Sequence, residues 1–173
     1  PGLSSGVATR SGNSLRQNAL DGKITFTSGS TGEPKGVTLS AEDLSTITAS
    51  IVRAMADVDV SRHLVVLPLA TLLENVAGVY APLVKGIEVV IPAPASVGLQ
   101  GSSGLDIASF ATCLSTYEPQ SVILVPQLLM ALTTLSEMAM IDPTFLRFVA
   151  VGGGKVSREL LSRADAQLIP AFE

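Results

Sequence analysis

Length, charge and composition narrow the class of protein before any motif is considered. The 173 residues suffice for one domain with its own core, or for part of a larger one. The formal net charge of −4 argues against nucleic-acid binding, and no apolar run reaches the roughly 18 residues of a transmembrane helix. A single cysteine, Cys113, and a single histidine, His63, exclude an internal disulfide and a cysteine-rich metal site. We therefore expect no metal ligands in this chain.

Composition also predicts how this sequence relates to a longer protein. Hydrophobic residues make up 47% of the chain and charged residues only 15%, which predicts surface that further polypeptide covers. The sequence begins at Pro1 and stops at Glu173, so we expect an excised piece. Residues 1–22 lack periodicity and predict a flexible lead-in, whereas residues 23–173 predict part of one domain. The cysteine content favours a cytoplasmic setting, with peripheral membrane attachment left open.

Strand and helix patterns alternate along the chain from residue 24 onwards. The predicted strands cover residues 24–27, 37–39, 63–68, 87–91, 121–125 and 147–151. The predicted helices cover residues 41–56, 71–84, 106–117 and 126–138, and a last helix begins at Ser157. Residues 92–104 are rich in Pro, Gly and Ser and predict a loop, long enough to be a substrate-side loop or a partly disordered one. This alternation predicts an α/β fold with a mostly parallel sheet, helices on both faces, and ligands beyond the carboxyl ends of the strands.

Periodicity and residue type also predict which side chains are buried. In the helix over residues 71–84, the inward positions are Leu72, Leu73, Val76, Val79 and Leu83. Ser40 is predicted to cap the first helix, and Gly86 to end the second. His63 is predicted to be a structural histidine, and Cys113 part of the core.

A dense cluster of hydroxyls, glycines and one lysine follows the first predicted strand. Glycines let backbone N–H groups point at a ligand, hydroxyls donate to oxygen acceptors, and the lysine supplies a mobile charge. This chemistry suits a triphosphate, and the candidate residues are Thr27, Ser28, Gly29, Ser30, Thr31, Gly32 and Lys35. The spacing is neither that of G-x-x-x-x-G-K-[ST] nor that of G-x-G-x-x-G. The alternative is a flexible Ser/Gly connection between two strands.

Residues 27–36, TSGSTGEPKG, resemble the signature phosphate loop of the adenylate-forming (AMP-binding) enzymes: acyl-CoA synthetases, luciferases and nonribosomal adenylation domains. A strand followed by Gly152, Gly153 and Gly154 is similar to the family's second nucleotide element. The resemblance implies that this glycine backbone lies against adenine, where a bulky side chain would block the approach. It also implies that the chain is part of the large N-terminal domain of such an enzyme.

Two further segments resemble the acyl side of this family. Residues 63–75 are similar to the segment of fatty acyl-CoA synthetases that carries L-P-L-x-H and then a glutamate, with Thr71 in place of the usual histidine or aromatic residue. Glu74 then has either a site role or the role of an ordinary first-turn helix charge. The corner at Val125, Pro126 and Leu128 resembles the family's acyl-pocket lining, and the same residue types fit a plain core.

The resemblance implies that the parent protein is an ATP-dependent carboxylate-activating ligase, most similar to long-chain fatty acyl-CoA synthetases. The carboxylate attacks the α-phosphate of ATP, which gives acyl-AMP and pyrophosphate, and CoA then takes the acyl group. ATP, Mg²⁺, CoA, a fatty acid and the rest of the same polypeptide are the implied cofactors and partners. The family's magnesium-binding acid and adenylation lysine would follow Glu173, so we expect this chain alone to be inactive.

Two other interpretations stay open. One is a binding module, or degenerate paralogue, that holds nucleotide or acyl ligand without turnover. The other is a structural α/β domain whose Ser/Gly stretch is only a connection. The sequence beyond Glu173 distinguishes the enzyme from the binding module, and ATP-dependent shifts of the amides of residues 29–36 would contradict the purely structural interpretation.

Overall fold

The computed structural model describes residues 22–28, 34–100 and 104–173. The predicted lead-in, apart from Gly22, and the candidate phosphate ligands Gly29, Ser30, Thr31 and Gly32 lie outside these ranges. Two compact units divide the chain, residues 1–47 and residues 48–173. Throughout the three ranges, no helix combines the length and the apolar character needed to cross a membrane.

The first unit contains a β-hairpin that leads into a helix. Strands β1 (Gly22–Ser28) and β2 (Pro34–Ser40) pair antiparallel, and both are longer than predicted. Helix α1 (Ala41–Ala54) begins directly after Ser40, whose hydroxyl oxygen accepts from the Asp43 backbone N–H at 3.0 Å. The Asp43 carboxylate accepts in return from the Ser40 hydroxyl at 2.7 Å and from the Ser40 backbone N–H at 3.2 Å, and these bonds lower the pKa of Asp43. The predicted cap is therefore confirmed, as a reciprocal capping box.

The second unit is built from short strands and the helices that connect them. Its strands are β3 (Arg62–Leu64), β4 (Glu88–Val90), β5 (Leu99–Gln100), β6 (Gly104–Leu105), β7 (Ser121–Leu124), β8 (Phe148–Val151) and β9 (Ala171–Phe172). Its helices are α2 (Ala81–Val84), α3 (Ile107–Tyr117), α4 (Pro126–Glu137) and α5 (Arg158–Ala166). A π-helix (Glu74–Tyr80) leads into α2, and two 3₁₀ helices cover Pro94–Val97 and Pro143–Phe145.

Five of these strands form one parallel sheet in the order β4-β3-β7-β8-β9. The chain moves from β3 to β4 in one direction, then returns past β3 to β7 and continues to β8 and β9. Right-handed crossovers then put the segment over residues 74–84 on one face of the sheet and α3, α4 and α5 on the other. Contacts of α4 with both α3 and α5 agree with this arrangement. The predicted α/β fold with a mostly parallel sheet is confirmed.

The core of this unit is centred on strand β7, whose four residues are all buried. Apolar side chains from both neighbouring strands and from the three helices of one face pack with it, including Leu64, Leu114, Leu129 and Val149. Cys113 is buried among them, as predicted, and burial raises the pKa of its thiol. A continuous apolar run is the usual sequence of a parallel strand covered on both faces.

The helix predicted over residues 71–84 differs from the observed segment in its type and in its buried face. Helical backbone begins at Leu72, close to the predicted start, and the segment from Glu74 to Tyr80 is π-helical. Leu73 and Leu83, predicted to point inward, are exposed, whereas Glu74 and Gly78 are buried. The prediction of the inward face is confirmed for Val76 and wrong for Leu73 and Leu83, because a period of 3.6 residues does not apply to i→i+5 hydrogen bonding.

Two other regions also differ from the predictions. The predicted loop over residues 92–104 contains the 3₁₀ helix and strand β5, which pairs antiparallel with β6. Gly98 permits this turn, because its φ of +84° is left-handed and an added Cβ would lie 2.3 Å from the Asp106 carbonyl oxygen. The strand predicted over residues 63–68 ends at Leu64, and β9 was not predicted.

Replacing Asp106 by Asn tests the cap of α3. The Asp106 carboxylate accepts from the Ser109 hydroxyl at 2.8 Å and from backbone N–H groups, and these bonds hold its pKa below the ordinary 3.8. Because the folded carboxyl binds a proton less readily, its stabilisation is complete above the unfolded pKa and is lost as the pH falls through the folded pKa. We expect urea unfolding to show a smaller difference between wild type and Asp106→Asn near pH 3 than near pH 7. A difference that does not change with pH would contradict this account.

Candidate functional site

The candidate site lies at the carboxyl ends of β3 and β7. These neighbouring strands connect in opposite directions, which makes them the switch point of the sheet, where ligands of α/β proteins bind. A cavity of about 590 Å³ opens there. It is lined by Leu67, Pro68, Thr71, Pro94, Leu99, Gly104, Leu105, Val125, Gln127 and Leu128.

Among the residues that the structure describes, the lining of this cavity is mainly apolar and carries no charge. Among its ten residues, only Thr71 and Gln127 have polar side chains, and none is ionisable. Thr71 is held in a turn, since its N–H donates to the Pro68 carbonyl at 2.8 Å and its carbonyl accepts from the Asn75 N–H at 3.0 Å. Such a cavity accepts an uncharged, mainly apolar group and offers few hydrogen bonds to it.

A second, smaller cavity of about 210 Å³ lies beside the first. All ten of its lining residues are apolar, and four of them, Leu67, Pro68, Pro94 and Leu99, also line the larger cavity. Ile91, which follows strand β4, lines only the smaller one. The two cavities therefore follow one another along the carboxyl edge of the sheet, from the end of β7 towards the end of β4.

The three consecutive glycines follow β8 at the same edge of the sheet. Gly152 donates its N–H to the Leu124 carbonyl at 3.0 Å, which joins the ends of β8 and β7. Gly153 has a φ of +78° and an added Cβ there would lie 3.3 Å from Val125. An added Cβ on Gly154 would lie 3.4 Å from the ring of Pro126. Gly153 and Gly154 are exposed, so their bare backbone offers a flat surface, which fits the adenine contact that the resemblance implies.

A buried polar network lies behind the cavity wall. The His63 Nδ1 atom lies 2.9 Å from the Ser121 hydroxyl, and its Nε2 atom lies 3.5 Å from Glu74 Oε1. Glu74 Oε2 accepts from the Leu67 backbone N–H at 3.2 Å. All three side chains of the network are buried. His63 is thus structural, as predicted, whereas Glu74 is neither an exposed helix charge nor a residue that lines either cavity.

The structure brings most of the predicted acyl-side residues together. Thr71, Val125 and Leu128 line the larger cavity, and Pro126 lies beside the glycine loop. Sequence reasoning missed Gln127, which lies between Val125 and Leu128, and it missed Leu105. Residues 92–104 were expected to form a loop that could lie on the substrate side, and the structure places Pro94, Leu99 and Gly104 in the lining. The sequence singled out none of these three, because the segment has the composition of a plain loop.

The remaining candidate residues belong to the hairpin of the first unit. Thr27 and Ser28 end strand β1, and Lys35 lies opposite Thr27 in strand β2. In the part of the chain that the structure describes, no group of three or more His, Cys, Asp or Glu residues is arranged to hold a metal ion.

Comparison with protein families identifies the chain. The model of the AMP-binding enzyme family matches residues 23–172, which include the hairpin, the sheet and both glycine clusters. The chain belongs to the AMP-binding enzyme family. Its resemblance to adenylate-forming enzymes is thereby confirmed. A search of curated protein sequences gave no match.

Solved structures of adenylate-forming enzymes share the fold of this family member. The N-terminal domain of FACL13 from Mycobacterium tuberculosis matches 86% of this chain at 24% identity, with a TM-score of 0.66. O-succinylbenzoate coenzyme A synthetase (MenE) from Bacillus subtilis, in complex with AMP, matches 87% at 21% identity, with a TM-score of 0.64. The AMPPNP-bound nonribosomal peptide synthetase FmoA3 matches 86% at 26% identity, with a TM-score of 0.68. The matched part spans 34%, 28% and 14% of those chains, respectively.

Substituting Gly153 by Ala tests the conformation of the glycine loop. We expect a loss of about 1–2 kcal/mol in the free energy of unfolding, because a residue with a Cβ is strained at positive φ. Gly154→Ala is the matched control, since the φ of Gly154 is not positive and the added Cβ meets only ordinary contact distances. Equal losses for the two variants in urea unfolding would show that the left-handed backbone of Gly153 does not matter for stability.

Proposed function

We propose that the protein containing this chain activates a carboxylic acid with ATP, giving an acyl-adenylate and pyrophosphate, and then transfers the acyl group to a thiol such as CoA. The observation that carries the proposal is an uncharged cavity beside an exposed glycine loop, at the switch point of the sheet, in a member of the AMP-binding family. In this reaction a carboxylate oxygen bonds to the α-phosphorus of ATP, and pyrophosphate leaves.

A fatty acid is the substrate that the cavities favour. The larger cavity has no charged residue to match a polar acyl group, and the smaller one has no polar residue at all. Each methylene buried in such an environment contributes about 0.8 kcal/mol, so binding would strengthen as the alkyl chain extends from one cavity into the other. O-succinylbenzoate, which MenE takes by its name, carries a second carboxylate for which this lining offers no partner.

The nucleotide side of the proposal divides between two sets of residues. Gly153 and Gly154 would flank the adenine ring with backbone alone. The hydroxyls of Thr27, Ser28, Ser30 and Thr31, the amides of Gly29 and Gly32, and the Lys35 ammonium would bind phosphate oxygens. Mg²⁺ would neutralise charge on the β- and γ-phosphates, and its acidic ligand would come from further polypeptide.

Carboxylate-dependent exchange of labelled pyrophosphate into ATP tests the reaction directly in the full-length protein. We expect exchange with long aliphatic acids and much weaker exchange with short or dicarboxylic acids. Failure of every acid to support exchange, in a folded protein that still binds ATP, would refute adenylation and favour a binding module without turnover. Exchange with dicarboxylic acids alone would leave adenylation standing and refute the fatty-acid assignment.

Replacing Lys35 by Ala tests the role of the hairpin lysine. We expect pyrophosphate exchange at limiting ATP to fall by about a hundredfold, because a charge that stabilises the reacting phosphates is lost. Lys23→Ala is the matched control: Lys23 lies on the neighbouring strand, opposite Leu39 and away from the Thr27 pair. The control should change exchange by no more than about twofold, because Lys23 lies away from the proposed phosphate ligands. Equal effects of the two variants on pyrophosphate exchange would show that Lys35 does not act on the phosphates.

Filling the smaller cavity tests the assignment of chain length. Ile91 lines that cavity yet is 52% exposed, so Ile91→Trp narrows the cavity without disrupting the core. We expect exchange with long acids to fall by about tenfold or more, and exchange with medium-length acids to be unchanged. Leu83→Trp is the control, because Leu83 is 58% exposed and lines neither cavity. Equal losses for all acids in Ile91→Trp would contradict the two-cavity path.

A further inference from the structure

Glu74 is fully buried, and the proposed reaction does not use it. It is the first residue of the π-helix, and its side chain points towards strand β3. Its two carboxylate oxygens have different partners: Oε1 lies 3.5 Å from His63 Nε2, and Oε2 accepts from the Leu67 N–H at 3.2 Å. A buried carboxylate is costly unless its oxygens are hydrogen-bonded, so this arrangement calls for a specific role.

One arrangement of protons satisfies every group in the network. The Ser121 hydroxyl donates to His63 Nδ1, the His63 Nε2–H donates to Glu74, and the Leu67 N–H donates to the other carboxylate oxygen. Ser121 is in β7, His63 in β3, and Glu74 in the segment that crosses over from β3 to β4. The network therefore ties the crossover to both strands of the switch point. The last group of the network, beyond Glu74, is the backbone N–H of Leu67.

Gly78 provides the space in which the Glu74 carboxylate lies. A Cβ added to Gly78 would lie 2.4 Å from Glu74 Oε1 and 2.9 Å from His63 Nε2, which is closer than real contacts allow. The π-helical backbone brings residues 74 and 78 together in this orientation. Single π-helical turns occur frequently at functional sites. The network therefore requires glycine at position 78, where any side chain would overlap the carboxylate and the imidazole.

The network ends at the wall of the cavity. Leu67 lines both cavities, and the turn that follows it carries Thr71 into the lining of the larger one. The sheet does not hold that turn, because β3 stops at Leu64 and its last bond to β4 is from the Val65 N–H to the Val90 carbonyl. The Leu67 N–H bond to Glu74 restrains the backbone two residues further on, directly before the turn.

We propose that Glu74, oriented by His63 and Ser121, is a positioning residue that sets the shape of the acyl cavity by holding the backbone at Leu67. Glu74 does not touch the substrate; it acts through Leu67 and the turn to Thr71. The effect on substrate binding rests on the proposed function, whereas the restraint on the backbone does not.

Glu74→Leu and Glu74→Gln separate this role from general stability. Leucine leaves the Leu67 N–H and His63 Nε2 without a partner. Glutamine retains the network, because its carbonyl can accept from Leu67 and its amide can donate to His63 in the other tautomer. Thr133→Val is the control: Thr133 is equally buried, bonds only within helix α4, and lines neither cavity. Each variant is made in the full-length protein.

Two measurements are compared across these variants. Amide hydrogen exchange should rise in residues 65–71 of Glu74→Leu, stay at the wild-type level there in Glu74→Gln, and be unchanged there in Thr133→Val. The KM for a long-chain acid in pyrophosphate exchange, checked by displacement of the fluorescent fatty acid cis-parinaric acid, should rise by about tenfold or more in Glu74→Leu, with the KM for ATP unchanged.

Wild-type protection of residues 65–71 in Glu74→Leu would overturn the inference, whatever the activity. The proposal would also fail if Glu74→Leu raised the KM for acid and the KM for ATP equally, or if Thr133→Val raised the KM for acid as much. Either result would show that Glu74 contributes only to the stability of the fold. If the wild-type protein neither exchanges pyrophosphate nor binds cis-parinaric acid, the proposed function fails, and the hydrogen-exchange comparison still decides whether Glu74 positions the wall.

Discussion

The structure depends on the parallel pairing of β3 with β7. These parallel strands share only two paired positions, His63 with Ser121 and Leu64 with Val122. Strand β4 is added on one side of this pair, and strands β8 and β9 are added on the other. The hydrogen bond between His63 and Ser121 reinforces the pairing from within the core. Because the connections leave these strands in opposite directions, no crossover covers their carboxyl ends, and the cavity opens there. A slip in this register would move the histidine away from its partner and bury a polar side chain unpaired.

The sequence predicted the fold well where local pattern and tertiary environment agree. Strand β7 was predicted because a short apolar run bounded by turn residues is typical of a strand buried on both faces. The starts of the helices near Asp106 and Ser157 were predicted because a polar side chain before a helical pattern can satisfy the first N–H groups, and both side chains do so in the structure. Local pattern also predicted correctly that each glycine cluster follows a strand. The residues of the candidate site came from the motifs, and their grouping at one edge follows from parallel strands ending together.

The buried face of the segment over residues 74–84 could not be predicted, because tertiary contacts determine it. Periodicity assigned Leu73 and Leu83 to the core, and no local rule favours burying a glutamate instead. The fold accommodates the buried Glu74 because each of its carboxylate oxygens has a hydrogen-bonding partner. These partners, His63 and the Leu67 N–H, lie outside the helix, so the periodicity of the helix does not reveal them. The hairpin of β5 and β6 was missed for a related reason. Its strands have two residues each, and it forms where the chain wraps the apolar cavities rather than through its own strand preference.

The lack of charge in the lining of the cavities also determines which end of the proposed fatty acid would enter them. A carboxylate placed in the larger cavity would lose its hydration and find only Thr71 and Gln127 as possible donors among the lining side chains, which would not offset the cost. The alkyl chain, by contrast, gains from every methylene that leaves water. A fatty acid would therefore enter with its chain towards the smaller cavity and leave its carboxylate at the exposed carboxyl edge of the sheet, the edge at which Gly153 and Gly154 present their backbone. The cavity would thus select the acid by its chain and orient its reactive oxygen for the nucleotide without binding that oxygen itself.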